Sequence, residues 1–251
     1  MNPNFEKLFK LLDIPIIDDR FINQTGLIKI KETRLSPEAN KLFSEMNITS
    51  ETPFEQSGEF NAKLTYMMFG SSSKNGSQLN KEIVEQHQHL SVYGDWSVTF
   101  LVVGITDEVL KELIAHREGH ISRLTSSKTK AQINTYYRIW GTPEQQQVQM
   151  GFINEFLIMK KNWQNQANYS LLGLELSNSL NLPCKVAVAE ITMTLKDYHK
   201  LFIGRCGPNG NEYLIQELAG QMADYLHESY PHLIKTKEEY IAMNNGEKLK
   251  I

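Results

Sequence analysis

WSVTFLVVGITDEVLKELIAHREGH, residues 96–120, is the stretch on which the fold turns. Trp96, Val98, Thr99, Phe100, Val102, Val103 and Ile105 are aromatic or β-branched, and no charge interrupts them. That composition predicts a strand over 96–105, buried on both faces toward its end. Thr106 stands next as an N-cap, followed by Asp107 and Glu108, acids suited to the positive end of a helix. Val109, Leu110, Leu113 and Ile114 then form an apolar stripe at helical spacing, carrying the helix to about Arg117, and Gly119 is placed to end it.

The chain just past this helix is chemically unusual. Residues 115–132, AHREGHISRLTSSKTKAQ, hold His116, His120, Arg117, Arg123, Lys128 and Lys130, with Glu118 as the sole acid. Ser122, Thr125, Ser126, Ser127 and Thr129 add hydroxyl groups. Arginine and hydroxyl donors together suit recognition of phosphate oxygens, although the same composition also describes a solvated polar loop. The whole chain of 251 residues has a formal charge of −3. A general nucleic-acid surface, which is normally basic, is therefore not expected, and any anion site must be local.

Working outward, Phe5, Leu8, Leu11 and Leu12 predict a helix over 4–12. Ser36-Pro37-Glu38 opens a second, to about Met46, and 47–57 reads as loop. AKLTYMMF, residues 62–69, reads as a strand before the flexible SSSKNGS, and 82–89 reads as helix. Thr142-Pro143-Glu144-Gln145 is a capping box that starts a long helix to about Trp163. Residues 169–180 continue helical, 185–195 alternate as a strand, and helices come next over 196–203 and 212–229. Strands and helices without regular alternation make the class α+β, an antiparallel or mixed sheet with packed helices.

Several chemistries lack their motifs. Neither a P-loop nor a dinucleotide-binding glycine fingerprint is present. No nucleophile elbow surrounds a serine or cysteine. His116 and His120 are four apart, but Gly119 falls between them and breaks the helical face a zinc pair needs, so no metal is expected. Cys184 and Cys206 do not form a C-x-x-C. With no signal-peptide pattern and no apolar run of spanning length, a cytoplasmic protein off the membrane is expected.

The order of these segments resembles the flavin-dependent thymidylate synthases, from about Asn61 to His232. The resemblance rests on His87-Gln88-His89, the strand WSVTFLVV, the helix ending in Ala115-His116-Arg117, and Thr125 after seven further residues. A closing helix NEYLIQELAGQMADYL and Tyr230-Pro231 complete it. It implies a thymidylate-synthase-complementing-protein-like fold over 61–235, preceded by a mainly helical extension, 1–60, and followed by a tail, 236–251. It also implies reductive methylation of dUMP to dTMP in a homotetramer. FAD would be the cofactor, and NADPH and methylenetetrahydrofolate the cosubstrates. His89, Ser91, His116, Arg117 and Arg205 would hold FAD. Ser122, Arg123, Thr125, Ser126 and Lys128 would hold the pyrimidine nucleotide, with Thr125 and His89 closest to the chemistry.

The chain departs from the family pattern at definite points. Ala115 replaces the first arginine of Arg-His-Arg, Thr125 replaces a serine, and Ser122-Arg123 replaces Asn-Glu with reversal of a charge. Ser127 stands where the family has arginine, with Lys128 adjacent, and Gly204-Arg205-Cys206 stands in place of Asn-Leu-Arg. Such changes are compatible with two other roles: a non-catalytic binding or scaffold homologue, or a flavoenzyme for another pyrimidine nucleotide.

Overall fold

The computed structural model describes residues 3–65, 76–85, 89–115, 119–124, 136–166, 182–207 and 213–246. Its helices are α1 (Pro3–Leu11), α2 (Pro37–Glu45), α3 (Pro53–Thr65), α4 (Gly76–Glu85), α5 (Asp107–Ala115), α6 (Pro143–Gln166), α7 (Leu195–Arg205), α8 (Tyr213–Ser229) and α9 (Lys237–Gly246). Its strands are β1 (Ile16–Ile17), β2 (Phe21–Ile22), β3 (Gly26–Glu32), β4 (Ser97–Thr106), β5 (His120–Arg123), β6 (Tyr137–Arg138) and β7 (Val186–Thr194). One sheet has the order β1-β2-β6, antiparallel then parallel, and a four-stranded sheet runs β3-β4-β7-β5. The α+β class with a mixed sheet and packed helices is thus the observed one.

The chain divides into two compact units. The first comprises residues 1–28, 101–115 and 121–190; the second comprises 29–100, 116–120 and 191–251. In the first, Phe9, Ile14, Ile22, Val103, Tyr136, Val186 and Val188 form one apolar cluster, with Phe9 edge-on to Tyr136 at 4.7 Å. Phe21, Tyr137, Ile139 and Ile153 form another, against which Met150 and Leu157 of α6 pack.

In the second unit, α8 buries Ile215, Leu218, Ala219, Met222 and Leu226, the face its spacing predicts. Each large side chain so buried contributes about 1.5–3 kcal/mol. Phe100 meets Tyr198 and Tyr225 edge-on, and Phe54 lies among Tyr93, Trp96 and Tyr230.

Several caps form as their sequences require. The Ser36 side chain accepts from Ala39 N, and Thr106 Oγ1 accepts from Val109 N at 3.2 Å. Thr142 N donates to Gln145 Oε1 at 2.9 Å while Gln145 N donates back to Thr142 Oγ1 at 3.4 Å.

The segment over 62–69 requires correction: residues 62–65 end α3 rather than begin a strand, and 66–69 lie outside the described residues. Likewise 53–57 are helical, not loop. Thr52 and Glu55 cap this helix reciprocally, with Glu55 N donating to Thr52 Oγ1 at 3.2 Å and Thr52 N to Glu55 Oε2 at 3.3 Å. Phe54, Gly58 and Ala62 are buried at i, i+4 and i+8, whereas Leu64 is 51% exposed, so the period is helical. The helix read over 82–89 begins earlier, at Gly76, and is described to Glu85. The helix read over 169–180 lies outside the described residues.

Residues 1–60 hold α1, α2, most of α3, and the strands β1, β2 and β3. In the stretch after 235, α9 is capped by Thr236 and Glu239 and buries Tyr240 against Phe202 and His199.

Candidate functional site

β4 delivers the chain into α5 through Thr106, and α5 returns it to β5. Gly119 makes that return possible. Its φ is +91°, and a Cβ there would fall 2.5 Å from the Thr192 carbonyl oxygen and against Met193 Cγ. Only glycine fits so close to the neighbouring backbone in this conformation. β5 then carries Ser122 and Arg123, both half-buried, and Leu124 N donates to the Val188 carbonyl at 2.8 Å. The cationic stretch therefore leaves β5 from an anchored strand end.

At that end the first unit gathers charge. Arg123 Nη2 lies 2.8 Å from Asp107 Oδ1, at the first turn of α5. Asp107 N in turn donates to the Lys185 carbonyl at 3.3 Å. The Lys185 ammonium is buried and has no hydrogen-bond partner among the described residues. Burial is the main cause that holds it below the usual lysine range; Asp107 opposes this, while Arg123 and Lys160 add to it. Arg123 and Lys160 thus act on Lys185 against the one carboxylate of Asp107, so the Lys185 ammonium sits among like charges.

The second unit carries its own candidate groups. His89 precedes a 3-10 turn, Leu90–Tyr93, in which Ser91 lies; both side chains are exposed. His89 N donates to the Ile83 carbonyl at 3.0 Å, which fixes the turn at the end of α4. Arg205 is half-buried in the last turn of α7. His116, Arg117, Thr125, Ser126 and Lys128 lie outside the described residues. The structure therefore brings His89 beside Ser91, and Ser122 beside Arg123. Asp107 and Lys185 are not legible as site residues in the sequence. Asp107 carries only the signal of a helix-start acid, and Lys185 only that of a strand's first residue.

Within the first unit, the Ser122 hydroxyl and Arg123 guanidinium are groups of the kind that bind phosphate oxygens; within the second, His89 and Ser91 present an imidazole and a hydroxyl at exposed positions. Among the described residues, no three His, Cys, Asp or Glu side chains converge as a metal site. Nor is any described helix long and apolar enough to cross a membrane.

This architecture is that of the flavin-dependent thymidylate synthases. The chain is similar to thymidylate synthase X of Helicobacter pylori, solved with FAD and dUMP, at a TM-score of 0.61 and 12% identity, over 84% of this chain and 98% of that one. It is similar also to PolB of Streptomyces cacaoi, a UMP/dUMP methylase bound with 5-Br UMP, at a TM-score of 0.60 and 12% identity, over 89% and 96%. A second Helicobacter pylori flavin-dependent thymidylate synthase structure, complexed with FAD and dUMP, matches at 0.57 and 15% identity, over 75% and 97%. No family model matches the sequence, and no curated protein does. Identities this low carry the fold; the chemistry has to be argued from side chains.

Proposed function

We propose that the chain is a flavin-dependent, thymidylate-synthase-like enzyme that binds FAD and methylates a pyrimidine nucleotide such as dUMP. The observation that carries this reading is the match of most of the chain to structures solved with FAD and dUMP or with 5-Br UMP. It is joined by the retained order of His89, His116-Arg117 and the hydroxyl-rich stretch. When bound, reduced flavin supplies hydride, NADPH replenishes it, and methylenetetrahydrofolate supplies the carbon.

The chain's own residues bind and orient. His116, Arg117 and Arg205 hold FAD through its phosphates, with His89 and Ser91 at the ring. Ser122, Thr125, Ser126 and Lys128 hold the nucleotide phosphate and base. Arg123, steadied by Asp107, keeps the local potential positive. Thr125 and His89 supply the chemistry's side chains, a hydroxyl and an imidazole that would stabilise the charge developing on the pyrimidine carbonyl. The working form is a homotetramer in the cytoplasm.

A second reading concerns the sugar. The PolB match covers 89% of this chain, and that protein is a UMP/dUMP methylase, so UMP is the competing substrate. The test is oxidation of reduced flavin in the loaded enzyme with methylenetetrahydrofolate and either dUMP or UMP, with the methylated product identified by mass. Nucleotide-dependent oxidation with either supports the enzyme and names its substrate. A flavin-loaded chain that forms no methylated product from either overturns the reading.

A further inference from the structure

The second unit holds a cavity of about 490 Å³, and none of its described lining residues belongs to the candidate site. β3 and the chain leaving it supply one wall, with Lys29, Glu32 and Arg34. The start of α3, with Phe54, the entry to β4 at Trp96, and Tyr230 just past α8 close the floor. Phe54 meets Trp96 at 5.8 Å and Tyr230 at 4.8 Å between ring centroids, both edge-on. All three rings are buried, so each shows the cavity only a small part of its surface. A floor of rings fixed in this way favours a flat aromatic guest, which packs on them edge-on or offset.

The wall sets the charge of that guest. Tyr230 Oη donates to Glu32 Oε1, and Trp96 Nε1 donates to Tyr230 Oη at 3.3 Å. Lys29 Nζ pairs with Glu32 Oε2 at 2.8 Å. Both carboxylate oxygens are therefore engaged, and Lys29 balances their charge. Arg34 is exposed, and its guanidinium has no ion pair among the described residues. Lys29 and Arg34 against Glu32 leave the wall one positive charge in excess, which a monoanion matches and a phosphate dianion overshoots. The planar fork of a guanidinium takes a carboxylate through two hydrogen bonds. We infer that this cavity is a second small-molecule site, sharing no described residue with the flavin and nucleotide site, and that it takes a small planar aromatic carboxylate. The ring lies on the Phe54, Trp96 and Tyr230 floor, and the carboxylate on Arg34. The volume falls within the range that encloses such molecules.

Calorimetric titration of the full chain with 2-naphthoate tests this. One naphthoate per chain should bind, with a Kd of about 1 mM or tighter. Arg34→Gln should weaken binding about tenfold or more, because a charge-assisted hydrogen bond is lost. Lys31→Gln removes the same charge from a β3 residue that does not line the cavity, and should leave the affinity within about twofold. Ser229→Trp, at an exposed position on the cavity rim, should abolish binding. All three positions are exposed, so circular dichroism and Tm should stay at wild-type values. Saturating FAD and dUMP should leave the naphthoate affinity unchanged. A wild-type chain that binds no naphthoate overturns the inference. So do equal losses in Arg34→Gln and Lys31→Gln, binding that survives Ser229→Trp, or displacement of naphthoate by FAD or dUMP. A chain that binds naphthoate through Arg34 but retains no FAD leaves the inference standing and sinks the flavin reading. One that retains FAD and ignores naphthoate does the reverse.

Discussion

Gly119→Ala isolates the joint on which the candidate site is built. An L residue at a φ of +91° loses about 1–2 kcal/mol relative to glycine. The added methyl also meets the Thr192 carbonyl oxygen at 2.5 Å, and that atom belongs to backbone that cannot swing aside. Overpacking of this kind costs about 1–3 kcal/mol. Together the two effects predict a loss of about 2–5 kcal/mol, which in a chain of this size lowers Tm by roughly 5–15 °C. Thermal unfolding by circular dichroism reads it directly. Gly204→Ala is the control: a Cβ there meets nothing within 4 Å, and in the helix α7 the change should leave Tm level or raise it slightly. A fall below about 2 °C for Gly119→Ala, or equal falls for both variants, would show that backbone crowding does not hold this joint.

Three further outcomes arise from buried charge. Asp107→Ala removes the carboxylate that faces Arg123 and Lys185, so it should cost about 2–4 kcal/mol in urea unfolding. Glu59 is buried and accepts from Thr49 N, Ser50 N and Ser50 Oγ at 2.8–2.9 Å while pairing with Lys63. Burial raises its pKa, but the Lys63, Ser50 and Thr49 contacts together outweigh that and hold it below 4.5. Its contribution is present above that pH and lost as pH falls through the lowered value; Glu59→Gln should cost about 3 kcal/mol at neutral pH. His199, whose Nδ1 lies 2.7 Å from Tyr240 Oη, is pushed down to about 4, chiefly by burial and then by Lys235. Between pH 6.5 and about 4 the unfolded chain takes up a proton that the folded chain refuses, so stability falls by roughly 3 kcal/mol across that window. Denaturation of His199→Gln over the same range should show a flatter dependence.

The elements legible in the sequence are those with strong periodicity or complete caps: α1, α2, β4, α5, α6, β7, α7 and α8. β3 and β5 are not, because they are the two edges of the four-stranded sheet. Edge strands are short or half-exposed, without the apolar alternation that marks an interior strand. α3 reads as a strand at its end because AKLT alternates apolar and polar residues over too few positions to separate a period of 2 from 3.6. The Thr52–Glu55 cap that settles it lies ten residues upstream. Of the site, the cationic stretch after α5 is visible as composition. Its anchoring is not, since the Asp107–Arg123 pair joins residues 16 apart and depends on β5 folding back beside α5.

Whether this fold holds a flavin is read most directly from the visible absorption spectrum of the purified chain after incubation with FAD and gel filtration. Retained flavin bands at about one per chain, lost in Arg117→Ala, are expected. A colourless, folded chain that leaves all the FAD behind would contradict flavin binding, and would point to a binding or scaffold protein that keeps the fold without its chemistry.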